Sequence, residues 1–172
     1  MYMNNCRKPC RTTTSTTSTT STTTNCCPAC DNALIVSEAS QTLCYGDEVV
    51  LDENVELNGT SIRHEEGESE IMLSANSRFL VNYSVTTKLC RMSSCNCGGK
   101  ECAEAEFALE LNNQMYAGSE SLDTICTGKY ITISKSVVVS TGSSATNELV
   151  LVYSGRARIK ASNVSISIVR IC

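Results

Sequence analysis

From Ala33 onward, apolar and polar residues alternate with a period of two, and turn-forming residues break the pattern at short intervals. In Phe79-Leu80-Val81-Asn82-Tyr83-Ser84-Val85 the large side chains Phe79, Val81, Tyr83 and Val85 fall on alternate positions. Successive strand side chains point to opposite faces of a sheet, so this rhythm buries one face and wets the other. Repeated along a chain, it specifies an all-β sandwich or barrel, and no convincing long helix competes with it. Candidate strands lie near Ala33–Val36, Thr42–Tyr45, Val49–Leu51, Asn54–Arg63, Glu70–Leu73, Arg78–Cys90, Ala105–Tyr116, Tyr130–Ser140, Leu149–Tyr153, Arg156–Lys160 and Asn163–Ile171. Asn58-Gly59 and Asn112-Asn113 signal hairpins, because these residues tolerate the positive φ of tight turns.

The alternation also names a core. Phe79, Val81, Tyr83 and Val85 share a face, as do Phe107, Leu109 and Leu111, then Ile131, Ile133, Val137 and Val139, then Val164, Ile166 and Ile168. Leu149-Val150-Leu151-Val152-Tyr153 is apolar on both faces, which marks a strand covered on both sides, centrally in the sandwich or at a subunit interface. Both prolines, Pro9 and Pro28, lie before this region, so nothing in it interrupts a ladder.

The beginning of the chain is of another kind. Residues 12–24 contain only Thr and Ser, a tract that forms no packed core. Thr is β-branched and favours extended backbone, so the stretch between Cys10 and Cys26 spans up to roughly 50 Å. Ser15, Ser18 and Ser21 recur every third residue, which suits a three-residue-per-turn extended helix or a three-chain bundle; the alternative is an unstructured, O-glycosylated linker. The chain therefore divides into a connector arm, residues 1–30, and a head, residues 31–172, large enough to fold without covalent staples.

Cysteines set the covalent constraint. Five of the twelve are in the arm (Cys6, Cys10, Cys26, Cys27, Cys30) and seven in the head (Cys44, Cys90, Cys95, Cys97, Cys102, Cys126, Cys172). Both sets are odd. If every thiol is oxidised, at least one bond joins an arm to a head, of the same chain or of another. Cys26 and Cys27 are adjacent; vicinal cysteines rarely bond each other, which points them at two different partners.

The arm carries Arg7, Lys8 and Arg11 and no acid, so the formal net charge of −4 is the sum of +3 in the arm and, from 11 basic and 18 acidic residues, −7 in the head. Opposite charge steers an arm toward a head. Three charges are too few for nucleic acid. The first residues lack the apolar segment of a secretory signal and no stretch reaches the length of a membrane span, so synthesis without a signal peptide, and no membrane partner, are expected.

Three stretches carry a resemblance: Glu106 to Ser119, Tyr130 to Val139 and Asn163 to Ile171, with Phe79 to Val85 beside them. They resemble the C-terminal heads of collagen-like exosporium glycoproteins, which belong to the complement and tumour-necrosis-factor-like jelly rolls. The resemblance covers residues 69–172 well and residues 31–68 only by strand rhythm. It implies an all-β jelly-roll sandwich that tends to trimerise, displayed on the surface of a spore or particle. The chain departs from that pattern in having no Gly-X-Y stalk, where the Thr/Ser tract stands instead, and in carrying seven head cysteines. Both departures favour a cross-linked fibre subunit, similar to spore appendage proteins with cysteine-bearing connectors.

Other constellations are weaker. Cys27-Pro-Ala-Cys30 has the spacing of redox catalysts but not their βαβ context. Cys90, Cys95, Cys97 and Cys102 cluster around Gly98-Gly99; local disulfides with one or more intersubunit bonds are the preferred reading, zinc and free thiols the alternatives, and no cofactor is expected. His64, in Arg63-His64-Glu65-Glu66-Gly67-Glu68, has no identifiable nucleophile or orienting partner, so the run reads as a solvated loop in preference to a catalytic or calcium site. Three Asn-x-Ser/Thr matches are taken as chance. No phosphate-binding, dinucleotide or metalloprotease motif is present.

The expectation is a non-enzymatic, self-assembling subunit of a disulfide-linked fibre or appendage on the bacterial spore surface. Its partners are further copies of itself and other spore-surface proteins. The linkage donors are Cys6, Cys10, Cys26, Cys27 and Cys30; the acceptors are Cys90, Cys95, Cys97, Cys102 and Cys172. The alternative is a trimeric adhesive head that binds a host surface or glycan.

Overall fold

A computed structural model describes residues 31–90 and 102–171 of the chain. The arm and its five cysteines, the Thr/Ser tract, Cys95, Cys97 and Cys172 lie outside the described residues.

Twelve strands follow one another without a helix among the described residues: β1 (Asn32–Ser37), β2 (Gln41–Leu43), β3 (Glu53–Asn58), β4 (Ile62–His64), β5 (Ile71–Leu73), β6 (Arg78–Leu89), β7 (Cys102–Leu111), β8 (Gln114–Met115), β9 (Ser121–Cys126), β10 (Tyr130–Ser140), β11 (Asn147–Tyr153) and β12 (Ile159–Ile171). They form two antiparallel sheets. The front sheet runs β10-β6-β12-β1-β3, with β2 also on β12; the back sheet runs β4-β5-β11-β7-β8, with β9 also on β7. The chain passes between the sheets six times, after β3, β5, β6, β9, β10 and β11, and β12 lies between β6 and β1. This is a jelly-roll sandwich, as the period-two pattern predicts.

The core forms where the inner faces meet. β6 alternates buried and half-buried along its length, and Phe79, Val81, Tyr83 and Val85 are fully enclosed. Phe107, Leu109, Ile133, Val139, Val164, Ile166 and Ile168 join them, while Leu111, Ile131 and Val137 pack at the margin. A large apolar side chain gains roughly 1.5–3 kcal/mol on full burial, so this face decides the register of each strand. A polar group reaches across the core: the Tyr83 hydroxyl of the front sheet shares its one proton between the carbonyls of Ser119 (2.7 Å), in the loop before β9, and Phe107 (2.9 Å), on β7. Burial pushes that phenol well above its usual range. β11 sits between β5 and β7, and its outward Val150 and Val152 are only 2% and 5% exposed. The doubly apolar strand is therefore central in its sheet.

Several expectations change in detail. Gly59, at φ +87°, does turn the chain, but β3 and β4 belong to different sheets, so the turn is a corner between layers and not a hairpin. Asn112 and Asn113, at φ 54° and 61°, make the β7–β8 hairpin. The two final strands are one, β12, because a bulge between Ser162 and Ser165 with Asn163 at φ 48° absorbs the break in alternation. Val49–Leu51 is not a strand: only isolated bridges, at Glu48 and Leu51, tie that stretch to Val152 and Glu68. Alternation gives no sign of β9, whose middle residues are all exposed.

Candidate linkage site

The site lies at the Ile159 end of β12. Leu43 of β2 and Leu89 of β6 flank Ile159 in register, and all three point into the core. The next positions, Cys44, Arg158 and Cys90, therefore follow one another across the sheet. The Cys90 amide donates to the Arg158 carbonyl at 3.0 Å. Cys44 opens a tight turn: its amide donates to Asp47 Oδ2 (2.7 Å), its carbonyl accepts from the Asp47 amide (3.0 Å), and Gly46 takes φ +86°. Both thiols are unbonded, Cys44 exposed and Cys90 half-buried.

Adjacent strands are about 4.8 Å apart, so two ladder spacings separate the positions beside Leu43 and Leu89 by about 10 Å. A disulfide needs Cα atoms within about 7 Å. Cys44 and Cys90 thus stand too far apart to close on each other and near enough to meet one short incoming segment.

Tyr153 plugs the sandwich beneath them. Its ring packs on Phe107 at 5.3 Å, its hydroxyl donates to the Ala157 carbonyl, and Gly155 is needed because a Cβ there would clash with that hydroxyl. Burial, with the Cys44 thiol nearby, pushes the Tyr153 phenol up to about 12. The floor under the thiols is therefore fixed and uncharged at neutral pH.

Cys102, expected to accept an arm thiol, instead bonds Cys126 of its own chain. The reason is register: the two stand directly opposite on β7 and β9, with Cα atoms 4.0 Å apart. This also removes one ligand from the four-cysteine zinc alternative, and among the described residues no group of three or more His, Cys, Asp or Glu is placed to hold a metal. A disulfide of this kind belongs to oxidising surroundings. Cys90 is unbonded, and so is Cys44, which spacing gave no reason to single out. The only signal that could have found Cys44 is strand pairing.

His64 is buried, 7% exposed, with Nδ1 2.8 Å from Asn54 Oδ1 and Nε2 3.2 Å from the Glu68 carbonyl. Neither nitrogen faces a hydroxyl or a thiol. The acidic turn that follows is exposed, as expected, but its histidine is a structural tie.

No protein-family model and no curated protein matches the chain. Among solved structures it is similar to Eiger, a tumour necrosis factor from S. frugiperda (TM-score 0.61, 8% identity, covering 83% of this chain and 93% of that one). It is also similar to murine APRIL (0.57, 10%, 83% and 99%) and to the globular domain of zebrafish complement 1qA (0.56, 4%, 82% and 95%). At these identities the likeness is one of fold, the complement and tumour-necrosis-factor-like jelly roll.

Proposed function

We propose that this protein is a self-assembling structural subunit of a disulfide-cross-linked fibre or appendage on the bacterial spore surface, in which the N-terminal arm of one copy is bonded to the head of a neighbour. The observation that carries the reading is the pair of unbonded thiols, Cys44 and Cys90, side by side across Arg158 and out of each other's reach. With Cys102 and Cys126 bonded to each other, five head cysteines remain for five in the arm. The adjacent Cys26 and Cys27 suit two acceptors about 10 Å apart. Cys6, Cys10 and Cys30 are further donors, and Cys95, Cys97 and Cys172 further acceptors. Each bond forms when two thiols lose two electrons and two protons to dioxygen, giving a disulfide and hydrogen peroxide, after release from the reducing compartment.

Non-reducing electrophoresis of oxidised protein tests this. A ladder of covalent multimers that collapses with reductant supports it, and the double variant Cys44→Ser/Cys90→Ser shortens the ladder. Oxidised material that runs only as monomer contradicts it.

A second reading, a trimeric adhesive head for a host surface or glycan, draws on the outer face of the front sheet. There Thr132, Thr86 and Ser162 form one row, Ser134, Ser84 and Ser165 the next, and Ser136, Asn82 and Ser167 a third, with no charge among them. It requires a trimer that survives deletion of residues 1–30 and binds a ligand saturably; an arm-deleted head that is monomeric and inert counts against it.

A further inference from the structure

One cleft does not fit an acidic head. Lys88 and Lys160 stand directly opposite each other on β6 and β12, on the outer face, and Tyr130 of β10 stands opposite Lys88 on its other side. Like charges in cross-strand register are destabilising, and among the described residues neither lysine has a carboxylate partner. Lys88 Nζ donates to the Tyr130 hydroxyl at 3.1 Å and lies 5.1 Å from the ring centroid, which pins it at the rim. Tyr130 itself is 62% exposed. Together with Leu89, Cys90 and Gly128 these residues line a cleft of about 560 Å³, and Arg158 follows two positions before Lys160. A like-charge pair that meets an aromatic ring but no anion among the described residues is what an interface looks like before its partner arrives.

The same chain carries a matching knob. Glu65, Glu66 and Glu68 are exposed around Gly67, whose φ of +91° forms the tip of the turn between β4 and β5. The turn is held from behind: the Gly67 amide donates to the Leu51 carbonyl (2.8 Å), the Leu51 amide to the Glu68 carbonyl (2.9 Å), and His64 and Asn54 hold one another beneath it. Its shape is set before any partner meets it, which lowers the entropy lost on docking.

We propose that the Glu65–Glu68 turn of one copy seats in the Lys88/Lys160 cleft of the next, a non-covalent contact that places heads in a row. Knob and cleft cannot meet within one molecule, because the turn is tied to β3 and the cleft is built on β6, β10 and β12, with β3 and β10 at opposite edges of the front sheet. Two different surfaces that meet between copies make a heterologous contact, which extends into an open row or closes into a ring. The arm has no Asp or Glu, so even where it bonds Cys90 at the border of the cleft it brings no carboxylate to the two lysines. The inference shares with the proposed function the premise that copies meet and the neighbourhood of Cys90, but it uses no thiol.

The test is a charge swap in the full chain, kept in mild reductant, with folding checked by circular dichroism in the same buffer. Lys88→Glu/Lys160→Glu gives an acidic cleft beside the native turn, and Glu66→Lys/Glu68→Lys gives a basic turn beside the native cleft. We expect wild-type association, read by sedimentation velocity, to weaken as salt rises, and each variant alone to associate about tenfold or more weakly, since like charges then meet. Mixing the two variants restores both complementary contacts and returns association to near the wild-type level. Absence of salt-dependent association in the wild type, variants that associate like wild type, or a mixture no better than its parts would overturn the contact. A covalent ladder that forms regardless of these variants would leave the arm linkage standing; association without a ladder would leave this contact standing and remove the linkage.

Discussion

The carboxylate of Asp31 and the guanidinium of Arg170 lie 3.8 Å apart, joined through Ser61, whose amide donates to Asp31 Oδ2 (3.0 Å) and whose hydroxyl accepts from Arg170 (2.9 Å). The Arg170 amide also donates to the Asp31 carbonyl at 2.8 Å. The residue next to Cys30 is thereby tied to β12 and to the corner that leads into β4. Any pull delivered through the arm reaches β12 and the corner at Gly59 directly.

That cluster titrates. Hydrogen bonds from Ser61, then from Thr60, and the nearby Arg170 hold the Asp31 carboxyl below its ordinary value, against the opposing effect of burial. A carboxyl lowered on folding stabilises the fold above its unfolded pKa, near 4, and loses that contribution as pH falls through the folded value. We expect Asp31→Asn to be less stable than wild type by about 1–2 kcal/mol at pH 7. The gap should close on acidification below about pH 4. Denaturant melts of the two proteins across that range check it; a gap constant with pH contradicts it.

The Cys102–Cys126 bond closes a loop of 24 residues in sequence separation. A loop of that size stabilises the fold by about 3–4 kcal/mol, chiefly by restricting the unfolded chain. Cys126→Ser should lower the unfolding free energy by about that amount without reductant. In reductant, wild type and variant should converge. Because this bond lies within one chain, the variant should leave the multimer ladder in place, which separates staple from linker.

Tyr83→Phe tests the tie across the sandwich. Removing the hydroxyl leaves the Phe107 and Ser119 carbonyls without that donor in a dry core. A loss of about 1–3 kcal/mol is expected from urea melts, with oligomeric state unchanged.

Period-two alternation specifies a strand best where one face is fully buried and least where pairing decides. Tyr130–Ser140 is a strand over the residues that alternation predicts, and β6 ends one residue earlier than expected, because both strands bury one clean face. β9 hides: Leu122, Asp123 and Thr124 are all exposed on an edge, so no alternation records it. Missing β9 meant missing the partner of Cys102. The neighbourhood of Cys44 and Cys90 was illegible for a related reason, since it is created by β12, more than sixty residues beyond the later of the two in the chain. Spacing reports local order, whereas thiol partners follow from register.

The most direct measurement is disulfide mapping by mass spectrometry on multimers assembled from an equal mixture of isotopically light and heavy full-length protein. Arm linkage between copies gives cross-linked peptides that join the Cys26–Cys30 segment to Cys44 or Cys90, with light–heavy pairs as abundant as same-label pairs. Arm and head cysteines found bonded only within one label, or Cys44 and Cys90 found free in oxidised material, would contradict it.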